Sequence, residues 1–217
     1  VVLIGYSLLM YLVVAPDAPD GTDPLSVAGN IAGWVDRQWL PGTFACGSFD
    51  PEGLLSTLPA IVSALFGMFT GEFLLRKRSS LSGEQIALCM ALAAVAITVI
   101  GIIWNCWIPI NKKLWSSSFT CVVTGYSLGL FALFYYLIDV RGWKRWTFFF
   151  RVIGLNSITI YLAQRIVGFG GIANFFFGGA ASHCPEAIAR VISNAGYVAI
   201  CWLFLYFLYR KSTFLKV

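Results

Sequence analysis

Charge is scarce in this chain. Of its 217 residues only 12% are Asp, Glu, Lys or Arg, against 59% apolar, and the mean hydropathy is +0.79. Soluble domains carry roughly 25% charged and 45–50% apolar residues. A soluble globule of this length could not hide so much apolar surface and is excluded; so are disorder and collagen-like repeats. Histidine occurs once, and the six cysteines contain no C-x-x-C pair, which argues against zinc, so no metal is expected. Alternating segments of about ten residues, the mark of an outer-membrane barrel, are missing too. There is no initiator Met and no basic n-region of a signal peptide, because the chain opens inside an apolar run, residues 1–14. The expectation is a membrane protein whose N-terminal part lies outside this sequence.

What is present is a set of long apolar runs. A spanning helix needs about 20 mostly apolar residues, since each residue rises about 1.5 Å through a core about 30 Å thick. Six stretches qualify or nearly do: 1–15, 54–75, 85–104, 116–138, 148–167 and 187–209. The fold class is all-α, a polytopic membrane bundle of about six transmembrane helices. The connecting segments alternate in charge. Arg76, Lys77 and Arg78, then Arg141, Lys144 and Arg145, then Arg210, Lys211 and Lys216 hold nine of the fifteen basic residues, and the positive-inside rule puts them in the cytoplasm together with the C-terminus. The external loop 16–52 then carries Asp17, Asp20, Asp23, Asp36, Asp50 and Glu52, six of the ten acids, with a short helix expected around residues 27–39. Trp34, Trp39, Trp104, Trp107, Trp115, Trp143 and Trp146 cluster at span boundaries as an aromatic belt. The net charge of +5 therefore reads as topology, and nucleic acid is not expected as a partner.

Polar residues inside or beside the spans carry the functional reading. The fifth stretch places Ser157, Tyr161, Gln164 and Gly168 on one helical face, between Arg151 and Arg165 about 21 Å apart along a straight axis. Such a face reads as the lining of a polar cavity, while the two arginines alone fit snorkelling to opposite interfaces. Asp50-Pro51-Glu52-Gly53 stands at the external start of the second stretch. Its carboxylates would either cap that helix or bind the amine and hydroxyls of a sugar. Asn111, Lys112, Lys113 and Trp115 precede Ser116-Ser117-Ser118 at the entry to the fourth. Gly67-xxx-Gly71 and Gly125-xxx-Gly129 suit close helix packing. Residues 168–179, GFGGIANFFFGG, read as a re-entrant segment, a cap or a flexible connector. His183 beside Cys184 is either a general base or an ordinary loop histidine. Cys46, Cys106 and Cys184 fall outside, where one disulfide could form, and the pairing stays open.

The order of these motifs resembles the heparan-α-glucosaminide N-acetyltransferase family. The resemblance rests on FDPEGLLSTLPAIVSALFGMFTGEFLL (49–75), PINKKLWSSSF (109–119), IDVRGWKRW (138–146), GLNSITIY (154–161) and LYRKSTFLKV (208–217). It implies that residues 1–217 are the C-terminal transmembrane portion of a larger multispanning acyltransferase. The implied reaction carries an acetyl group from cytoplasmic acetyl-CoA, a co-substrate, to the amine of a glucosamine-type sugar on the external or periplasmic side. The family's catalytic histidine and an associated asparagine lie in early spans and match no position here, and Gln164 stands where some relatives carry a histidine. No catalytic residue is therefore assigned, His183 included, and this portion alone is expected to be inactive. By resemblance, Asp50, Glu52, Asn111, Lys112, Trp115 and Asn156 become substrate or cavity residues. Arg151, Ser157, Tyr161 and Arg165 are assigned to the acetyl-CoA side. Partners on this reading are the lipid bilayer, an amino-sugar or glycan, the N-terminal half of the same protein and, as one arrangement, a second copy in a homodimer, with a bacterial inner membrane as the setting. The rivals are a secondary transporter of a small polar or sugar substrate and an acyltransferase that modifies surface glycans with other acyl groups.

Overall fold

The computed structural model describes residues 1–42, 44 and 46–215; Lys216, one of the cations expected above in the cytoplasm, lies outside them. The chain divides into two compact units, Val1–Gly142 and Trp143–Val217. The described residues are helical, with no strand beyond a single antiparallel bridge between Val14 and Asn30.

The first unit holds α1 (Val2–Leu12), α2 (Ile31–Trp39), α3 (Thr57–Lys77), α4 (Gly83–Trp104) and α5 (Ser117–Tyr135), the last running on through a π turn, Tyr136–Val140. The apolar runs form helices because hydrocarbon offers the backbone no alternative hydrogen-bond partners. Their ends carry readable signals. Ser82 and Gln85 exchange side-chain and backbone bonds in a capping box that starts α4, and Ser116 caps α5 by accepting from the Phe119 N–H. Between α4 and α5 the packing is close. A Cβ on Gly125 would lie 2.2 Å from Thr98 Oγ1 and 2.7 Å from the Ala94 carbonyl, whereas one on Gly129 would meet Ala94 Cβ at 3.6 Å. So Gly125 of α5 lets the helices touch, as does Gly101 of α4, where a Cβ would lie 2.9 Å from the Val122 nitrogen. Gly67 and Gly71 of α3 have open space instead, on a cavity of about 340 Å3 shared with Thr124 and Ser127 of α5. Ile86, Met90 and Ala132 form a buried cluster at the other end, with Phe73, Leu74, Leu128 and Tyr135 packed on it.

The second unit holds α6 (Thr147–Gly154), α7 (Ser157–Ile166), α8 (Phe169–Ser182) and α9 (Glu186–Arg210). Here the structure corrects the expected fifth span. Residues 148–167 are not one straight helix: the chain leaves helical geometry at Asn156 (φ −134°, ψ 32°), and α7 and α8 meet at an 81° bend. The cause of the first break is tertiary, because Asn156 is buried and its amide donates to the Thr213 carbonyl. The straight axis that would separate Arg151 from Arg165 does not exist. The Gly-rich stretch is not a flexible connector, since it forms α8, with Phe169, Ala173 and Ala181 buried.

Among the described residues four helices are long and apolar enough to cross a membrane, Thr57–Lys77, Gly83–Trp104, Ser117–Val140 and Glu186–Arg210, or five if the bent pair is one span. The expected six is lowered because α1 has only 11 helical residues and the fifth stretch is broken. The all-α membrane class stands.

If Gly125 sets the α4–α5 distance, Gly125→Ala is expected to destabilise the protein by about 1–3 kcal/mol, because the clash is with backbone atoms that cannot rotate away. Gly129→Ala should cost little. Thermal unfolding in detergent checks this, and equal effects at the two sites would refute the assignment.

Candidate functional site

Two of the sequence motifs converge in the first unit. Tyr6 and Met10 of α1, Ile31 and Ala32 of α2, and Leu114 form one buried cluster, with Leu9, Leu25, Trp34 and Leu55 packed against it. Leu55 follows the Asp50–Gly53 motif and Leu114 lies inside the Asn111–Trp115 turn. Burial of these apolar groups thus brings both motifs onto a common support.

Asp36 organises the first motif. It lies on the inward face of α2 with Ile31, Ala32 and Gly33, and is 2% exposed. Its Oδ1 accepts the Leu54 N–H at 3.0 Å, and its Oδ2 accepts the Asp50 N–H at 3.4 Å. The carboxylate therefore brackets the turn Asp50-Pro51-Glu52-Gly53. Gly53 passes so near that a Cβ there would sit 2.1 Å from Asp36 Oδ2. Arg37, next along α2, binds Asp17 through both ends of its fork at 2.8–3.0 Å and donates to the Ser48 carbonyl at 2.8 Å. Burial holds the Asp36 carboxyl above the ordinary carboxylate range. The Leu54 and Asp50 N–H groups oppose that rise, the Asp50 charge adds to it, and the Arg37 charge opposes it.

Asp50 Oδ1 accepts the Glu52 N–H at 2.9 Å, tightening the turn, and the Glu52 side chain is exposed. Neither carboxylate caps α3, as one sequence reading had it: that helix starts at Thr57, has at its cap position Ser56, whose hydroxyl donates to the Pro51 and Gly53 carbonyls instead of accepting from the helix, and carries no acid in its first turn. Both carboxylates are therefore left to the turn.

The second motif is a compact turn. Asn111 Oδ1 accepts the Lys113 N–H at 2.9 Å, and the Asn111 N–H donates to Ser116 Oγ at 3.0 Å. Tyr6 donates from its hydroxyl to the Leu114 carbonyl at 2.6 Å, and Ser117 donates to the Leu3 carbonyl at 2.7 Å, so α1 is bonded once to this turn and once to the start of α5. Trp115 takes φ 48°, a left-handed conformation costly for a bulky residue. Its ring meets Phe119 edge-on at 5.6 Å, and its buried Nε1 has no partner among the described residues. Lys112 is exposed. Tyr6, Ser7, Met10, Ile108, Asn111 and Ser116 wall a cavity of about 30 Å3. Ser7 Oγ there is buried without a hydrogen-bond partner among the described residues. That volume admits about one water and excludes a sugar ring.

The remaining candidates belong to the second unit. Arg151 is exposed in the last turn of α6, and Ser157, Tyr161, Gln164 and Arg165 are exposed along α7. Asn156 is a joint: besides its bond to the Thr213 carbonyl at 3.3 Å, its Oδ1 accepts from the Thr159 hydroxyl at 3.2 Å. His183 ends α8, with Nδ1 2.7 Å from the Gly179 carbonyl and 3.3 Å from Ser182 Oγ. All six cysteines are free.

Sequence reasoning passed over Asp36 and Ser7. The signal for Asp36 was available: it stands four residues after Ala32 on the apolar face of an amphipathic helix, where an acid needs a partner. For Ser7 no local signal exists, because its isolation comes from how α1 meets the Asn111 turn.

Fold and site together define an all-α integral membrane protein with two motif-bearing turns built on a common core. No family model matches the chain. It is similar to heparan-alpha-glucosaminide N-acetyltransferase of Mus musculus and of Homo sapiens, at 29% identity over 211 residues in each case, covering 87% of this chain. The family resemblance carried by the motifs is thereby supported across most of the chain. The chain spans only 30% of the length of these relatives.

The Asp36 bonds make two expectations. Asp36→Ala orphans two backbone N–H groups and should cost about 1–3 kcal/mol. Gly53→Ala should also be destabilising, by forcing Cβ onto the carboxylate. The pH dependence follows from the direction of the shift. With its pKa above the unfolded value of about 3.9, Asp36 holds its proton more tightly in the fold. Its stabilising contribution is full below about pH 4 and is lost as pH rises through the elevated pKa. Melting temperature should show that decline, and Asp36→Asn should flatten it; parallel profiles for wild type and variant would count against the buried-carboxyl account.

Proposed function

We propose that this chain forms part of a transmembrane N-acetyltransferase that carries an acetyl group from cytoplasmic acetyl-CoA to the amine of a glucosamine-type sugar on the other side. The observation that carries the reading is the similarity to heparan-alpha-glucosaminide N-acetyltransferases over 87% of the chain, together with the folding of the Asp50–Gly53 and Asn111–Trp115 motifs onto one core. The basic segments after α3, after α5 and after α9 orient the C-terminus to the cytoplasm.

The chemistry needs a neutral amine, a base for its proton and donors for an oxyanion. The amine nitrogen attacks the thioester carbonyl carbon, the C–S bond breaks, CoA leaves as its thiolate, and the base takes the ammonium proton. In the first unit, the Asp50 and Glu52 carboxylates orient the sugar through its amine and hydroxyls, with Asn111, Lys112 and Trp115 shaping the neighbouring turn. In the second unit, Arg151 and Arg165 supply positive charge for CoA phosphates, and Ser157 and Tyr161 offer hydroxyls along α7. Asn156 acts by holding the α6–α7 joint. The base is assigned to no residue of this chain, which is expected to be inactive without the rest of the longer protein.

One observation favours a transporter as the second reading: α7 and α8 form a broken, strongly bent pair, and discontinuous helices hold substrates in many transporters. Purified full-length protein in proteoliposomes separates the two. The enzyme yields N-acetylated glucosamine only with acetyl-CoA, whereas a transporter accumulates substrate without it. Within the enzyme reading, Arg151→Gln is expected to raise KM for acetyl-CoA roughly tenfold, the scale of a lost charge-assisted bond. The pair Asp50→Asn with Glu52→Gln should raise KM for the sugar instead. Unchanged kinetics in Arg151→Gln and in Asn156→Ala would overturn the second unit's assignment.

A further inference from the structure

One end of the second unit concentrates positive charge on an aromatic base. Residues 143–217 contain a single acidic side chain, Glu186, and it is paired with Arg190 at the first turn of α9. The cations Lys144 and Arg145 precede α6, and Arg210 and Lys211 stand at the C-terminal end of α9, the end opposite Glu186. Lys144 forms the turn that starts α6, its carbonyl accepting from the Thr147 N–H and hydroxyl. Phe148, one residue later, packs edge-on against Trp202, Tyr206 and Tyr209 of α9 at ring distances of 6.4, 6.2 and 5.7 Å. The Phe149 ring stacks on Trp202, its carbonyl accepts the Trp202 indole N–H, and Trp202 stacks in turn on Tyr206. Arg210 and Lys211 follow Tyr209 directly. The far end of α6 is held to the same place, because Asn156 bonds the Thr213 carbonyl. Thus α6 packs along the C-terminal third of α9, with Lys144 and Arg145 a few residues before Phe148 and with Arg210 and Lys211 directly after Tyr209, the ring that Phe148 meets.

The four side chains are exposed and have no ion pair among the described residues. Trp146 and Phe150 beside them are 40% and 59% exposed. At 25 residues α9 is about 37 Å long, so a helix crossing a core of about 30 Å brings Arg210 to headgroup level. Exposed aromatics at that depth fit the boundary between acyl chains and headgroups.

We propose that Lys144, Arg145, Arg210 and Lys211 form a binding surface for anionic phospholipid, with lipid phosphates drawn to the cations and acyl chains against Trp146 and the Phe148–Phe150 face. Each exposed cation near an anionic surface adds attraction. The inference does not depend on the reaction proposed above.

The test uses full-length protein stripped of endogenous lipid in detergent and titrated with phosphatidylglycerol or phosphatidylcholine, bound lipid being counted by native mass spectrometry. Wild type should prefer phosphatidylglycerol by roughly tenfold or more, and salt should weaken the preference because the charges are exposed. Replacing all four cations by Gln should abolish it, while Lys144→Arg with Lys211→Arg should keep it, which separates charge from a folding defect. A wild type without preference, or a preference insensitive to salt, overturns the proposal. So does a four-Gln variant that keeps the wild-type preference but loses acetyl-CoA binding, since the cations would then serve the nucleotide.

Discussion

The arrangement of the first unit's outer region depends on a buried carboxylate accepting two backbone N–H groups. A turn built from Asp50, Pro51, Glu52 and Gly53 has no helical or sheet partners for the amides of Asp50 and Leu54, and buried amides without partners are costly. Asp36 supplies one oxygen to each. The cost is the burial of an acid, visible in its raised pKa, and the arrangement works only because residue 53 has no side chain. Arg37 then anchors the same helix to Asp17 and Ser48. A short helix that would otherwise be an irregular loop becomes the clamp on a motif.

Much of the fold is legible in the sequence where length and polarity decide it. The helices α3, α4, α5 and α9 fall on their apolar runs, because a long apolar segment in hydrocarbon has only one way to satisfy its backbone. The expected helix near residues 27–39 appears as α2, capped by Asn30. What composition does not show are breaks made by distant contacts. The interruption at Asn156 depends on Thr213, 57 positions away, so no local window contains its cause. At residues 168–179 five glycines leave a re-entrant segment, a cap or a flexible connector open, and the helix α8 excludes only the last. Tertiary packing overrides the flexibility of glycine: with no side chain at Gly196, α9 passes close to the Phe177 ring of α8.

The site was legible as motifs but less so as roles. Asn111, Trp115 and Asn156 stand out in the sequence as polar or aromatic residues near span ends, which suggests contact with a ligand. In the structure Asn111 and Asn156 hold backbone: one closes the turn before α5, the other ties α6 and α7 to the C-terminal segment. Trp115 occupies a strained left-handed position that the Asn111 turn imposes. Groups that stand out as motifs can therefore belong to the architecture. Asp50 does so as well, its Oδ1 accepting the Glu52 N–H inside the turn, and neither it nor Glu52 caps α3. Which hydrogen bonds a polar residue makes depends on the whole fold, and no spacing rule reveals that.

The same accounting separates ordinary polarity within the spans from polarity that calls for a partner. Ser63, Thr70 and Thr98 lie on long apolar helices, yet each hydroxyl donates to the carbonyl four residues earlier, to Pro59, Phe66 and Ala94. A hydroxyl satisfied inside its own helix costs the membrane nothing and signals nothing. Ser7 and Thr120 are buried hydroxyls without such a bond among the described residues. Both sit where α1 and α5 flank the Asn111 turn, and Ser7 lines the small cavity there. An unsatisfied buried hydroxyl is costly enough that its position is informative. In the first unit, therefore, the buried hydroxyls left without a partner among the described residues lie beside the Asn111 turn, while those along the long apolar helices are satisfied within them.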